Sequence, residues 1–309
     1  MVVKMRKLFV PLYVAVSAML VSSCGLGGNQ KTPEGYVRYC VKLPDGQALY
    51  ADTPEWKATR DSILAAAKSL ASMDEAHDAV SKAAAVAGGK HSRLVAPVTD
   101  TASYEEVAPQ VKLLDGNVAY VVVPAHSGVK VSNTEYIDTI LDFLQANNDA
   151  SGVVLDLRDN RGGNMYPMIA AVSPLLPDGV LLSFKGRKRT MPIPLDYVLT
   201  TSNLGDVAIE KFPESTPVAI LINEWTASSG EATLLCFRGL DNVRTFGAPT
   251  AGYASANTMK NLADGYQLLI TTSCDMARTG EVFCDDPIAP DVPTDTPLED
   301  ALAWIGQGR

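Results

Sequence analysis

The chain is poor in the residues that bind metals: among 309 residues there are three histidines and five cysteines. No two cysteines stand at the short spacing of a zinc ligand pair, so neither a metal site nor a cofactor is expected. Cations are outnumbered, 26 Lys and Arg against 35 Asp and Glu, for a net charge of −9. That balance argues against nucleic acid or an anionic surface as the binding partner. Aromatics make up only 7% of the residues, and neither an internal repeat nor a low-complexity tract is present. What remains, 47% hydrophobic and 20% charged residues, is the composition of a globular chain large enough for one sizeable core and a small addition.

The apolar stretch from Leu8 to Leu20 is too short for a stable membrane span and follows Lys4, Arg6 and Lys7. This is the order of an export signal. It ends in Val21-Ser22-Ser23-Cys24, which resembles a bacterial lipobox. Residues 1–23 are therefore expected to be a lipoprotein signal peptide, with Cys24 lipidated and residues 24–34 forming a tether. The expected location is the cell envelope, on the periplasmic side or the cell surface. Removal of the signal takes away three cations and no acid, leaving 23 cations against 35 acids and a net charge of −12. An exported chain can form disulfides, and Cys274 and Cys284 flank a candidate hairpin. Cys236, in an apolar run, reads as a buried thiol.

Residues 35–95 carry helical signals. Thr53 is a candidate N-cap with Pro54 at the first helical position, and an alanine-rich helix from Met73 stops at Gly88-Gly89. From 96 to 309 the pattern changes to short apolar runs alternating with helical segments. Val118–Val123 and Val153–Leu157 read as buried strands, the segment Thr134–Asn148 as an amphipathic helix, and 185–215 as an irregular flap. The alternation predicts an α/β layered core. Within it, Thr226-Ala227-Ser228-Ser229-Gly230-Glu231 lies between the β-branched run Val218–Ile222 and a helix-compatible segment. A serine at such a turn is exposed beside the free N–H groups of a helix start, an arrangement suited to a nucleophile with an oxyanion site, although an ordinary N-cap looks similar.

Leu155-Asp156-Leu157-Arg158-Asp159-Asn160-Arg161-Gly162-Gly163 resembles a marker of the tail-specific, or C-terminal processing, serine proteases (peptidase S41). The Thr226–Glu231 turn resembles their nucleophile motif. Phe246–Gly252, Leu262–Gly265 and Pro287–Asp291 resemble later markers in the same order. The resemblance implies a crotonase- or ClpP-like ββα core with a small helical N-terminal subdomain. Too few residues separate Ser92 from Val118 for a PDZ domain.

Carried over residue by residue, the resemblance implies Ser228 as nucleophile, with the amides of Ser229, Gly162 and Gly163 as oxyanion donors. The place of the lysine of Ser–Lys relatives holds Tyr253. The histidine branch, related to the tricorn core, carries an element that Gly89-Lys90-His91-Ser92 matches, which implies His91 as base. His126, after a strand end, is the rival base. The group that orients the base stays open among Ser92, Glu231, Glu281 and Asp285. The expected activity is that of an envelope serine endopeptidase acting on peptides or proteins and held to the membrane through its N-terminal lipid. The alternative is a non-catalytic carrier or peptide-binding lipoprotein on the same fold.

Overall fold

The computed structural model describes residues 30–97 and 105–307; Cys24 and the segment expected to be a signal peptide lie outside the described residues. The chain enters through four helices: α1 (Pro33–Cys40), α2 (Leu43–Gln47), α3 (Pro54–Ala66) and α4 (Met73–Gly88). Their starts are written in the sequence. Thr32, Thr53 and Ser72 each accept a backbone N–H from the first turn, and Pro33 and Pro54 begin their helices. Gly89 takes φ 83° and stops α4. The chain then forms β1 (Arg93–Val95).

The central sheet follows, from β2 (Gln110–Leu114), β3 (Val118–Val122), α5 (Asn133–Ala146), β4 (Gly152–Asp156) and α6 (Met165–Ala171). A hairpin of β5 (Val180–Gly186) and β6 (Thr190–Pro194) leads to α7 (Leu195–Thr201), and then come β7 (Val218–Ile222), α8 (Ser229–Leu235) and β8 (Val243–Gly247). The last elements are β9 (Ser255–Asn261), β10 (Gln267–Ala277), β11 (Val282–Phe283), β12 (Val292–Pro293) and α9 (Pro297–Gln307).

Strand order in the central sheet is β12-β8-β7-β4-β3-β2. All its pairs are parallel except β2 with β3. Every residue of β4 and β7 is buried, because both faces are covered. Val153, Leu155, Ile220 and Ile222 point into the layer of α5, α6 and α8, while Val154, Ala219 and Leu221 meet Ala301 and Ile305 of α9.

The second sheet is built on the eleven-residue strand β10. One edge of β10 carries β9 and then β11; the other carries β1 and then β5. Between β1 and β5, the N–H of Leu49 donates to the Thr271 carbonyl, tying the helical segment to the ladder. Leu268 and Ile270 of β10, and Leu262 just after β9, share one apolar cluster with Tyr36, Trp56, Val80 and Ala84 of the helices.

One expectation is corrected: part of the segment 185–215, expected to be an irregular flap, forms strand β6 and helix α7. Strand β2, before Val118, is announced by no apolar run. Both strands are short, exposed and at sheet edges, and β6 includes Pro192 and Pro194, which an edge strand tolerates.

Candidate active site

Strands β4 and β7 pair in parallel and end together, so the turns that follow them meet. Thr226 locks them: its hydroxyl donates to the Leu157 carbonyl at 2.8 Å and accepts from Asn223 N–H at 3.1 Å. Asn160 completes the junction. Fully buried, it donates from Nδ2 to the Val123 carbonyl, accepts the Gly162 N–H on Oδ1 at 3.0 Å, and accepts the Ala227 N–H on its backbone oxygen. It fastens the ends of β3, β4 and β7 and was not singled out in the sequence, although it stands inside the Asp159–Gly163 motif.

Ser228 then takes φ 54° and ψ −117°, one of four non-glycine residues with positive φ among the described residues. A serine there is strained, and the strain persists only because its surroundings hold it. Glu231, with no exposed surface, supplies much of that hold. Its carboxylate accepts from the N–H of Ser228 (2.8 Å), the hydroxyl of Thr250 (2.5 Å), and the N–H groups of Gly252 (2.8 Å) and Tyr253 (2.7 Å). Burial pushes its pKa up, against these hydrogen bonds. Glu231 thus ties the serine turn to the loop after β8.

Gly162 and Gly163 lie against that turn at φ 97° and 126°. A Cβ on Gly162 would stand 2.8 Å from Cβ of Ser228, and one on Gly163 would stand 1.9 Å from the His126 carbonyl. Glycine is therefore required at both by space and by backbone. The Ser229 hydroxyl donates to the Gly163 carbonyl at 2.7 Å. The Gly162 N–H, expected to face an oxyanion, is occupied by Asn160. The amides of Ser229 and Gly163 donate to no acceptor among the described residues. Beside this turn the Arg161 guanidinium stacks on the exposed Trp225 ring at 4.4 Å.

His91 arrives from the end of α4 and is fully buried. Its ring meets the Tyr253 ring edge-on at 5.1 Å, and its Nδ1 lies 2.8 Å from the Ser255 hydroxyl. The Asn257 amide nitrogen is 3.1 Å from Nδ1 and 3.2 Å from Nε2. Burial first, then the charges of Arg93 and Lys90, pushes the imidazole pKa down to about 3. Lys90 is held by the Ala251 carbonyl at 3.1 Å and lies over the Tyr253 ring at 4.6 Å. Ser228 and His91 therefore converge on Tyr253, the first through Glu231 and the second through its ring.

None of the four candidate orienting groups hydrogen-bonds to the His91 ring, whose partners are Ser255 and Asn257. The Ser92 hydroxyl is bonded to the backbone and side chain of Thr271. Glu231 is taken by the loop amides, and Glu281 pairs with Arg238 at 2.8 Å. Asp285 approaches Gly89 and Lys90. The groups on the ring, Ser255 and Asn257, were missed: they lie 164 and 166 residues from His91 in a segment without a motif.

His126 is also buried, but its ring points away from the serine turn. Nε2 is 2.8 Å from Asn133 Oδ1, Nδ1 is 3.3 Å from the Glu106 carboxylate, and Tyr136 packs on the ring at 4.4 Å. Its backbone, not its imidazole, adjoins the site, pairing with Gly162 and Asn164. The rival base is thus a side chain of the core. Cys274 and Cys284 form a disulfide, as the hairpin reading expects, and Cys236 is a buried free thiol.

Comparison with known proteins adds relatives to this geometry. The family model described as Peptidase family S41 matches residues 117–294. A nisin-resistance protein of Lactococcus lactis is 33% identical over 304 residues, covering 94% of this chain and 95% of the relative. The carboxy-terminal processing protease CtpA of Bacillus subtilis is 26% identical over 67% of this chain but only 41% of its own length. Among solved structures, a lipoprotein from Streptococcus agalactiae superposes with a TM-score of 0.81 at 30% identity, over 90% of this chain and 97% of that one. A photosystem II D1 C-terminal processing protease shares the fold at a TM-score of 0.62 and 14% identity, over 89% and 97% of the two chains.

Proposed function

The chain belongs to peptidase family S41, and from that premise we propose that it is a serine endopeptidase with Ser228 as nucleophile and His91 as general base. The observation that carries this is Ser228 itself, kept at φ 54° between a buried strand and a helix start, with glycine pressed against it and, beside it, two amides that find no acceptor among the described residues. A ligand carrier has no need of a strained serine.

In the first step His91 Nε2 takes the Ser228 proton while Oγ attacks the peptide carbonyl. The amides of Ser229 and Gly163 receive the charge that develops on the carbonyl oxygen. The imidazolium then protonates the leaving amine, and water hydrolyses the acyl-enzyme by the same route in reverse. A neutral imidazole is available across the ordinary pH range because its pKa lies so low. The imidazolium that must form is stabilised by the oxyanion rather than by a carboxylate.

The nisin-resistance relative, similar over nearly its whole length, supports a peptide of the nisin kind as substrate. Mass spectrometry of nisin incubated with the chain should show one or more cleavage products. Ser228→Ala should abolish both cleavage and labelling by an active-site serine probe, with the thermal midpoint little changed. Persistent labelling in the variant would remove Ser228 from its role.

The lipobox-like Val21–Cys24 and the lipoprotein name of the solved relative support anchoring at the cell envelope through Cys24. Cys24→Ala should move the expressed chain from the membrane fraction to the soluble fraction. Unchanged partition would rule out the lipid anchor.

A further inference from the structure

Two of the three histidines face carboxylates. His77 Nε2 is 2.8 Å from Asp264, and His126 Nδ1 is 3.3 Å from Glu106. His91 faces none: its ring nitrogens meet Ser255 and Asn257. We propose that Ser255 is the positioning residue of the base and that Asn257 keeps the base neutral, so that this peptidase works without an orienting carboxylate. The proposal rests on the reading of His91 as general base.

The tautomer follows from the hydrogen bonds. For Nε2 to accept the Ser228 proton, Nδ1 must already carry one, and that N–H needs an acceptor. The Ser255 hydroxyl oxygen at 2.8 Å is that acceptor. Asn257 acts differently. A donor equally far from both ring nitrogens cannot lie in the ring plane, where the intervening ring carbon would bar it. Its amide nitrogen therefore lies over the imidazole face, presenting positive N–H edges to the π-electrons. That contact suits a neutral ring and opposes an imidazolium.

The orientation of Asn257 is fixed from behind. The Thr271 N–H donates to the Ser92 hydroxyl oxygen at 2.8 Å, and the Ser92 hydroxyl donates to Thr271 Oγ1 at 3.0 Å. Thr271 Oγ1 in turn donates to Asn257 Oδ1 at 2.7 Å. With its oxygen engaged, Asn257 has only its amide nitrogen to offer the ring. Ser92 thus influences His91 at a distance of two side chains, without touching the ring.

The charged and titratable groups around His91 agree. Lys90 precedes it, the Arg93 guanidinium of β1 reaches its carbonyl at 3.5 Å, and Tyr253 faces its ring. The acid Asp285 is directed at Lys90. Cations and burial both act against protonation of the ring. In the reaction the proton balance is simple. The Ser228 proton goes to Nε2 as the Oγ electron pair forms the bond to carbon, the Nδ1 proton stays on the ring and bonded to Ser255, and the Nε2 proton leaves with the amine.

The test uses the full chain labelled with 15N-histidine; with only three histidines, the His91 signals are identified by comparison with a His91 variant. The wild type should show an Nδ1–H tautomer that resists protonation well below the ordinary histidine range. Ser255→Ala should shift that tautomer and lower kcat by roughly 10- to 100-fold, part of the 10²–10⁴ that general base catalysis supplies, with KM unchanged. Ser255→Thr, which keeps the hydroxyl, should restore both. Asn257→Asp should raise the His91 protonation midpoint, and with it the acid limb of the kcat profile, by about one pH unit or more. An unchanged tautomer in Ser255→Ala, or equal loss in Ser255→Ala and Ser255→Thr, would overturn the proposal. The spectroscopic readout needs no turnover, so a chain that fails to cleave peptides would refute the peptidase reading while still deciding the tautomer.

Discussion

Ser228 and His91 pay for their placement in different ways, one in backbone strain and the other in desolvation. The cost at His91 has a pH signature. The unfolded histidine takes a proton below about 6.5, whereas the native ring refuses one until about 3. Between those values the unfolded state binds more protons, so stability falls as pH falls through that window. The slope approaches about 1.4 kcal/mol per pH unit for one group. His91→Gln cannot titrate, so the stability of the wild type relative to the variant, measured by urea unfolding, should fall as pH falls from about 6.5 toward 3. Parallel profiles would mean that the ring is protonated in the native state. The raised pKa values of Glu231 and Asp275 act in the opposite sense, which is why the comparison with the variant, and not the wild-type curve alone, isolates His91.

At the scale of elements, what could be read from the sequence depended on burial. β4 and β7 are continuous apolar runs because both faces are covered, and such runs stand out. β2 and β6 expose most of their residues at sheet edges, so no period marks them. The serine turn and the glycine turn were legible because local backbone demands fix their residues. Ser255 and Asn257 were not, because their service to His91 is made only by the pairing of β9 with β10 and of β10 with β1. The disulfide joins these elements to the site. Cys284 leads into the segment 285–287 that packs on Gly252, and Thr250 and Ile288 exchange hydrogen bonds of 2.8 and 3.0 Å. Closing a loop of ten residues stabilises by about 2–3 kcal/mol in the chain-entropy account. Replacing both cysteines by serine should lower stability by about that amount and speed hydrogen exchange at the Thr250 and Ile288 amides. If those amides keep their protection, the disulfide does not brace the loop that Glu231 holds.

For the whole molecule, the question is whether the helical segment is a separate unit. By sequence, a helical piece ending near residue 95 precedes an α/β core. In space, His91, the proposed base, leaves the end of α4 and enters the side of the core through β1. Leu262, Leu268 and Ile270 are buried against Trp56 and Tyr36 in one cluster. Separating the helices would expose that apolar face and break the β1–β10 ladder, at about 25 cal/mol for every Å² of apolar surface uncovered. A piece with so much shared core should unfold with the rest, as contiguous cooperative units do. The three tryptophans allow a direct measurement. Trp56 is fully buried in the helical cluster, Trp225 is 47% exposed and Trp304 packs beside Phe246 in the central layer. With Trp225 and Trp304 replaced by Phe, fluorescence reports Trp56 alone, while far-ultraviolet circular dichroism reports the whole chain. The two urea transitions should coincide in midpoint and slope. A Trp56 transition at lower urea would show that the helices come away first and carry His91 out of the site before the core unfolds. In that case activity would vanish with the first transition rather than with the last.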